Sequence, residues 1–343
     1  MTDMNRLYIN AVEQGNLADA EKYLMQGANI DAQDKDGWTA LMFAVDKGYK
    51  NITEFLLNHG ADVNIRGYGN FTALMYALVK DEIDREVVDS LLNHGADVNI
   101  QDDEGMTALT HVATRDETDT EVLELLLKQG ADVNLQNKGK SVLMKVVEKG
   151  KIDEKVVELL LDHGADVNAK NKGMTVLMKA VEKENKNITE LLLKNGADAN
   201  AQDDKKDTAL MKAVNKGNKE ITELLLKRNA DANIQGNKKE TALMMAVKKK
   251  NKEIAALLLK YGADVDLKND EGKNVFYMAD TDMLLFLEDY VRNYGVVSNQ
   301  KYVVQNSHSV TNSGRRRIIH NVETRVQTSD DDNKKHYGRR LEL

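Results

Sequence analysis

TALMKAVNKGNKEITELLLKRNADAN occupies Thr208–Asn233, and TVLMKAVEKENKNITELLLKNGADAN occupies Thr175–Asn200, 33 residues upstream. The same opening recurs as TALMFAV at Thr39, TALMYAL at Thr72, TALTHVA at Thr107, SVLMKVV at Ser141 and TALMMAV at Thr241. Successive starts lie 33, 35, 34, 34, 33 and 33 residues apart. Self-similarity at a period of this size identifies a solenoid, in which each unit buries its apolar face only against its neighbours. The period overrides the prior of about two globular domains that 343 residues would otherwise carry.

One unit, Asp34–Arg66, shows the construction. Leu41, Ala44 and Val45 recur at helical spacing, as do Ile52, Phe55, Leu56 and His59, with Gly48 between the two segments. Each segment is too short to be a stable helix alone in water and must pack on its neighbours. Thr39 stands where an N-cap acceptor is wanted. Gly60 stands where a left-handed C-cap residue is wanted. The extended ADVNIR then leads to a polar turn, so the unit reads as helix, turn, helix and projecting loop.

T-A-L-M-x-A-V-x-x-G, a second helix with ELLL, and a closing GADVN resemble the ankyrin repeat over roughly Met4–Gly295. LLNHGADVNI occurs twice verbatim, at Leu56–Ile65 and Leu91–Ile100. The resemblance implies an all-α ankyrin solenoid of about nine helix-turn-helix units over residues 1–295. An N-terminal cap unit takes 1–33, internal units 34–273 and a degenerate cap unit 274–295. It departs from the family's T-P-L-H opening in putting methionine where the family histidine ties neighbouring loops. Methionine packing is expected to substitute, although methionine specifies geometry less well.

The ends differ from the interior. Arg6 and Asn10 give the first unit a wetter face. In the last helix, Leu284, Leu287, Val291 and Tyr294 read as one apolar face, and Met283, Phe286 and Tyr290 as a second that needs cover. Residues 296–343 carry nine Lys and Arg against five Asp and Glu, a net +4, so the rest of the chain, at 39 against 51, carries −12. Within this tail, 302–327 alternates like a β-hairpin around the turn signal TNSG; a flexible polar tail is the equal alternative. Residues 328–343 read as disordered.

Composition narrows the chemistry. The chain has no cysteine, which excludes disulfides, zinc–thiolate sites and cysteine nucleophiles. Neither a long apolar run nor a signal-like opening occurs, so a cytoplasmic, monomeric protein without membrane spans is expected. No nucleotide-binding, zinc-protease or serine-hydrolase motif appears. His59, His94 and His163 hold the same position in their units and read as helix C-terminal residues, not metal ligands. Asp62, Asp97, Asp132 and Asp166 repeat too, where a catalytic pair would break the repeat. NIT at Asn51 and Asn187 lies in second helices and reads as framework. No enzyme, metal or cofactor is expected.

Function in a solenoid lives where the repeat varies. The residues before and after T-x-L-M give Trp38, Phe71, Met106 and Phe43, Tyr76, His111 in the first three such units, with Tyr68 on the adjacent loop. In the family this face is the concave surface, and aromatic residues there are candidate anchors for a protein partner. The plainer reading is that they cover loop bases. A second series, Lys47, Lys80, Arg115, Lys149, Lys183, Lys216 and Lys249, ends the first helices. With Lys145, Lys179 and Lys212 it reads as an electrostatic groove for an acidic partner, or as cations favoured by helix dipoles. The expected function is therefore protein–protein interaction. The rivals are an effector with activity in the tail, and nucleic-acid binding through the lysines and Arg315–Arg317.

Overall fold

The computed structural model describes residues 2–294. These belong to one compact unit, Met1–Val297. Nine helix pairs follow one another among them: α1 (Asp3–Glu13) with α2 (Leu17–Met25), α3 (Ala40–Lys47) with α4 (Lys50–Asn58), α5 (Ala73–Leu78) with α6 (Arg85–Asn93), α7 (Ala108–Ala113) with α8 (Thr120–Lys128), α9 (Val142–Glu148) with α10 (Glu154–Asp162), α11 (Val176–Glu182) with α12 (Lys186–Lys194), α13 (Ala209–Lys216) with α14 (Lys219–Lys227), α15 (Ala242–Lys248) with α16 (Lys252–Lys260), and α17 (Val275–Met278) with α18 (Thr281–Tyr294). First helices pack on first helices along the array, as α3 does on α5 and α13 on α15, and second helices form a parallel row. This is the all-α repeat solenoid the period predicts. No helix among the described residues is long and apolar enough to cross a membrane.

The repeated threonine starts most first helices; Ser141 takes its place before α9 and Asn274 before α17. Thr39 Oγ1 accepts from the Met42 amide at 3.2 Å, and Thr208 accepts from Met211 at 3.3 Å. Each bond satisfies a backbone donor that helix geometry leaves unpaired in a buried place. Second helices start on Asp84, Asp119 and Asp153, or on Asn185, Asn218 and Asn251, by the same device. They end on left-handed residues such as Gly60, φ 82°. Asn229 takes that place once, at φ 64°, where the chain reads RNADAN.

The expected second-helix stripe is corrected. In α4 the buried residues are Ile52, Thr53, Leu56 and Leu57. Phe55 is half-buried and stacks on exposed His59, with ring centroids 4.0 Å apart. A second helix touches both its own first helix and neighbouring second helices, so its buried arc is wider than one stripe and sits off Phe55. The faces of α18 are likewise redrawn. Met283 and Leu287, one turn apart, are buried together, whereas Leu285 and Tyr294 are exposed. Tyr290 stacks between Phe286 at 6.0 Å and Tyr294 at 4.6 Å.

Units are joined by two side-chain ties. The asparagine of GADVN is a two-point clamp. Asn64 Nδ2 donates to the Gly95 carbonyl at 3.0 Å, and its Oδ1 accepts from the Asp97 amide at 2.8 Å. Asn99, Asn134, Asn168, Asn200 and Asn233 repeat this onto the following unit. The repeated aspartates fold the same loop inward: Asp62 Oδ1 accepts from the Asn64 amide at 2.9 Å. Glutamine supplies the second tie. Gln33 Nε2 donates to Gly37 O of its own hairpin and to Arg66 O of the next, at 2.8 and 3.1 Å. Gln101, Gln202 and Gln235 do the same. The loop-to-loop tie that methionine cannot make is thus carried by glutamine. Methionine instead packs beneath the next loop: a Cβ on Gly67 would meet Met42 Sδ at 2.8 Å.

Asn134→Ala should therefore cost about 1–2 kcal/mol, the net value of two hydrogen bonds. Urea midpoints measure the cost, and hydrogen exchange at the Asp166 amide locates it. Unchanged protection of that amide would count against the clamp.

The expected hairpin at 302–327, the disordered end at 328–343, Arg315–Arg317 and the tail as cover for the last helix all lie outside the described residues.

Candidate functional site

The residue before each capping threonine sits at a hairpin base pinned in both directions. Trp38 N–H donates to Asp34 Oδ1 at 2.8 Å, while the Asp34 amide donates to Trp38 O at 2.9 Å. Met106 and Asp102 repeat this at 2.7 and 2.9 Å. Four residues into each first helix, Phe43, Tyr76 and His111 point from α3, α5 and α7 to the same side. The rings meet. Trp38 lies 4.9 Å from Phe43 and 4.3 Å from Tyr76; Phe71 lies 5.3 Å from Tyr76 and 5.3 Å from His111. Five of the seven expected anchors thus form one unbroken, half-buried row. Tyr68, 74% exposed on the turn Tyr68–Asn70, and half-buried Met106 lie outside that chain of contacts.

The row has acidic surroundings. Burial raises the Tyr76 hydroxyl pKa, and the carboxylates of Asp46 and Asp34 raise it further. At the far end His111 Nε2 meets Asp102 Oδ2 at 2.7 Å, with Asp102 buried.

The cations divide, so the expected groove is not a continuous ladder of free charge. Lys80 Nζ donates to Val45 O at 2.6 Å, and Arg115 donates to Leu78 O and Asp81 O at 2.9 Å each. Lys149 donates to Arg115 O. These three reach back one unit to carbonyls at, or just beyond, the end of the preceding first helix, where acceptors have room for a further donor. Lys47 lies 3.6 Å from Asp46, and Lys216 lies 3.6 Å from Glu184. Lys179 pairs with Glu182 at 3.0 Å; Lys212 pairs with Asp203 at 2.8 Å and Glu182 at 3.4 Å. No ion pair or hydrogen bond engages the ammonium groups of Lys145, Lys183 and Lys249 among the described residues.

The Asp203–Lys212 pair has a pH signature. Burial alone would raise the Asp203 carboxyl, but the hydrogen bond and charge of Lys212, together with the backbone amides of Asp207 and Lys205, outweigh it and lower the pKa. A depressed carboxyl stabilises the fold above its unfolded pKa, and that contribution is lost as pH falls through the folded one. Asp203→Asn should therefore melt below the parent at pH near 6, and the gap should shrink below the carboxylate range. A gap that is constant with pH would contradict the pairing.

Sequence reasoning missed one departure. The turns between the paired helices run 79–84, 114–119 and 149–153 in three consecutive units, against 48–49 beside α3. The signal was present in the spacings of 35, 34 and 34. The first two turns line an open cleft of about 780 Å³ that includes Glu82, Arg115 and Glu117. His59, His94 and His163 place Nδ1 against the carbonyl four residues back, at 2.7, 2.8 and 2.9 Å. Among the described residues no three His, Cys, Asp or Glu side chains gather to hold a metal ion.

A family model described as ankyrin repeats (3 copies) matches residues 8–102, 72–137, 110–203 and 177–269. No curated protein matched the chain.

Proposed function

The chain belongs to the ankyrin repeat family, and from that premise we propose that it is a non-catalytic interaction module whose concave face, built from first helices and hairpin bases, binds a partner protein. Ankyrin repeats in general are protein–protein interaction modules. The observation that supports the reading here is the unbroken ring row from Phe43 through Trp38, Tyr76 and Phe71 to His111. Half-buried aromatic groups held on rigid elements offer large contact area and lose little entropy on binding, which is what interface anchors require. Tyr68 and Met106 extend the patch at its edge. Lys145, Lys183 and Lys249 are the cations left to act at long range, while Lys80, Arg115 and Lys149 serve the framework.

The test is capture from a native lysate by the full chain and by Trp38→Ala and Tyr76→Ala. A protein retained by the parent and lost by both variants supports the reading. Equal retention by all three would place the site elsewhere. Capture that disappears on nuclease treatment would turn the reading toward nucleic acid.

A further inference from the structure

Resting on that reading, we propose the chemistry of the occupant: an extended peptide segment that lays a lysine or arginine against the Trp38–Tyr76 end of the row and, about five or six residues away, an aspartate or glutamate against Lys145.

The first half follows from the sign of the aromatic end. Among the described residues Asp34 accepts hydrogen bonds only from the amides of Asp36 and Trp38, and no cation engages it. Asp46 has only the distant Lys47 at 3.6 Å, both side chains being more than a third exposed. The Lys80 ammonium is engaged by the Val45 carbonyl. Both carboxylates act on Tyr76. Ring faces are themselves negative, and tryptophan attracts a cation best. Faces of this kind flanked by one unpaired carboxylate, Asp34, and one held only in an exposed ion pair, Asp46, favour a cationic side chain and repel an anionic one.

The second half follows from where the sign changes. Phe43, Tyr76, His111 and Lys145 hold the same register on α3, α5, α7 and α9. His111 is taken by Asp102, and Lys179 and Lys212 are matched by Glu182 and Asp203. Lys140, beside Lys145, is taken by Glu148 at 2.6 Å. Among the described residues Lys145 alone of the lysines in this register is half-buried with its ammonium in no ion pair or hydrogen bond. Burial first, then Lys140 and Lys138, lower its pKa, and the charges of Glu148 and Glu104 offset this only in part, so an external carboxylate would relieve it.

The spacing follows from the fold. Packed helix axes lie about 8–10 Å apart, so two steps from α5 to α9 span roughly 16–20 Å. An extended chain advances about 3.3 Å per residue, which gives five or six residues in either direction. A helical occupant, at about 1.5 Å per residue, would need about 11–13.

The experiment selects random 16-residue peptides displayed on phage against the full-length chain. Binding of the enriched peptides is then followed by the fluorescence of Trp38, the chain's single tryptophan. Enriched peptides should share a basic and an acidic residue five or six apart. Replacing their acidic residue by lysine should weaken binding to the parent on the order of tenfold and restore it on Lys145→Glu. That reciprocal rescue also shows the variant to be folded. Asp34→Asn with Asp46→Asn should weaken the parent peptide severalfold, and should leave a version with methionine for its basic residue unchanged. Peptides that require Trp38 but carry no such pair, or carry it at about 11–13 residues, overturn this inference alone. Displaying phage captured equally by the parent and by Trp38→Ala, or no enrichment at all, overturn the reading of the face itself.

Discussion

Trp38→Ala is expected to weaken partner binding about thirtyfold or more, the ratio that corresponds to a hot-spot loss of about 2 kcal/mol. Trp38 is in ring contact with both Phe43 and Tyr76, so its removal breaks the row between them and cuts Phe43 off from the rest. The loss should appear mainly as faster dissociation, because the contact is made after encounter. Tyr76→Phe keeps the ring and removes only the hydroxyl, and should stay within a few-fold of the parent. Trp38→Ala also surrenders two aromatic contacts within the fold, so a stability loss of about 1–2 kcal/mol is expected alongside. Surface-based kinetics and a melting curve separate the two effects. If Trp38→Ala binds normally while Lys145→Glu abolishes binding at all salt concentrations, the anchor lies beyond the aromatic row.

The second large effect concerns deletion. Removing 203–235 takes out one whole unit, 33 residues, and joins Gln202 to Gly236 as Gln235 joins it now. One unit and one interface are lost, so the array should fold with its melting temperature lowered by a few degrees. Removing 218–235 takes out only α14 and its loop. Ile221, Leu225 and Leu226, each at most 4% exposed, go with it, and α12 and α16 lose the helix between them. Losses of buried aliphatic groups of about 2–5 kcal/mol each then sum to the whole stability of an ordinary domain. The smaller deletion should be the worse one, splitting the array into two pieces that unfold separately. Circular dichroism during urea unfolding reads this directly. Equal damage from both deletions would refute nearest-neighbour coupling.

What the sequence made legible is what repeats. The capping threonines, Leu41 and its equivalents, and the glycine after the second helix recur at one period, and each has a local physical reason to be there. The contiguity of Trp38, Phe43, Phe71, Tyr76 and His111 was legible too, because equivalent positions on stacked units must neighbour one another. Other features were not. Gln33 ties Gly37 to Arg66 through the reach of one side chain across a unit boundary, and nothing in its own surroundings announces that. Lys80, Arg115 and Lys149 looked like a free cationic row because their targets are main-chain carbonyls 34–37 residues back, which carry no sequence signature. Lys145 stands out only after its neighbours' partners are known. On α18 the buried face follows from how Met283 and Leu287 meet the preceding unit, and in an all-round apolar helix periodicity does not select one face.

The ties between units have a consequence for how the chain is made. The asparagine clamps, glutamine ties and cation caps bridge 28 to 37 residues, about one repeat. At synthesis rates of about 5–20 residues per second, a new repeat leaves the ribosome roughly every 2–7 s. Each arrives with its partners in the preceding repeat already emerged: its cation reaches back, and the asparagine and glutamine waiting on that repeat reach forward to it. Helix formation and docking are orders of magnitude faster than that interval. The array can therefore assemble in step with translation, its growing edge covered by one repeat at a time, and never expose the apolar surface of the whole chain at once.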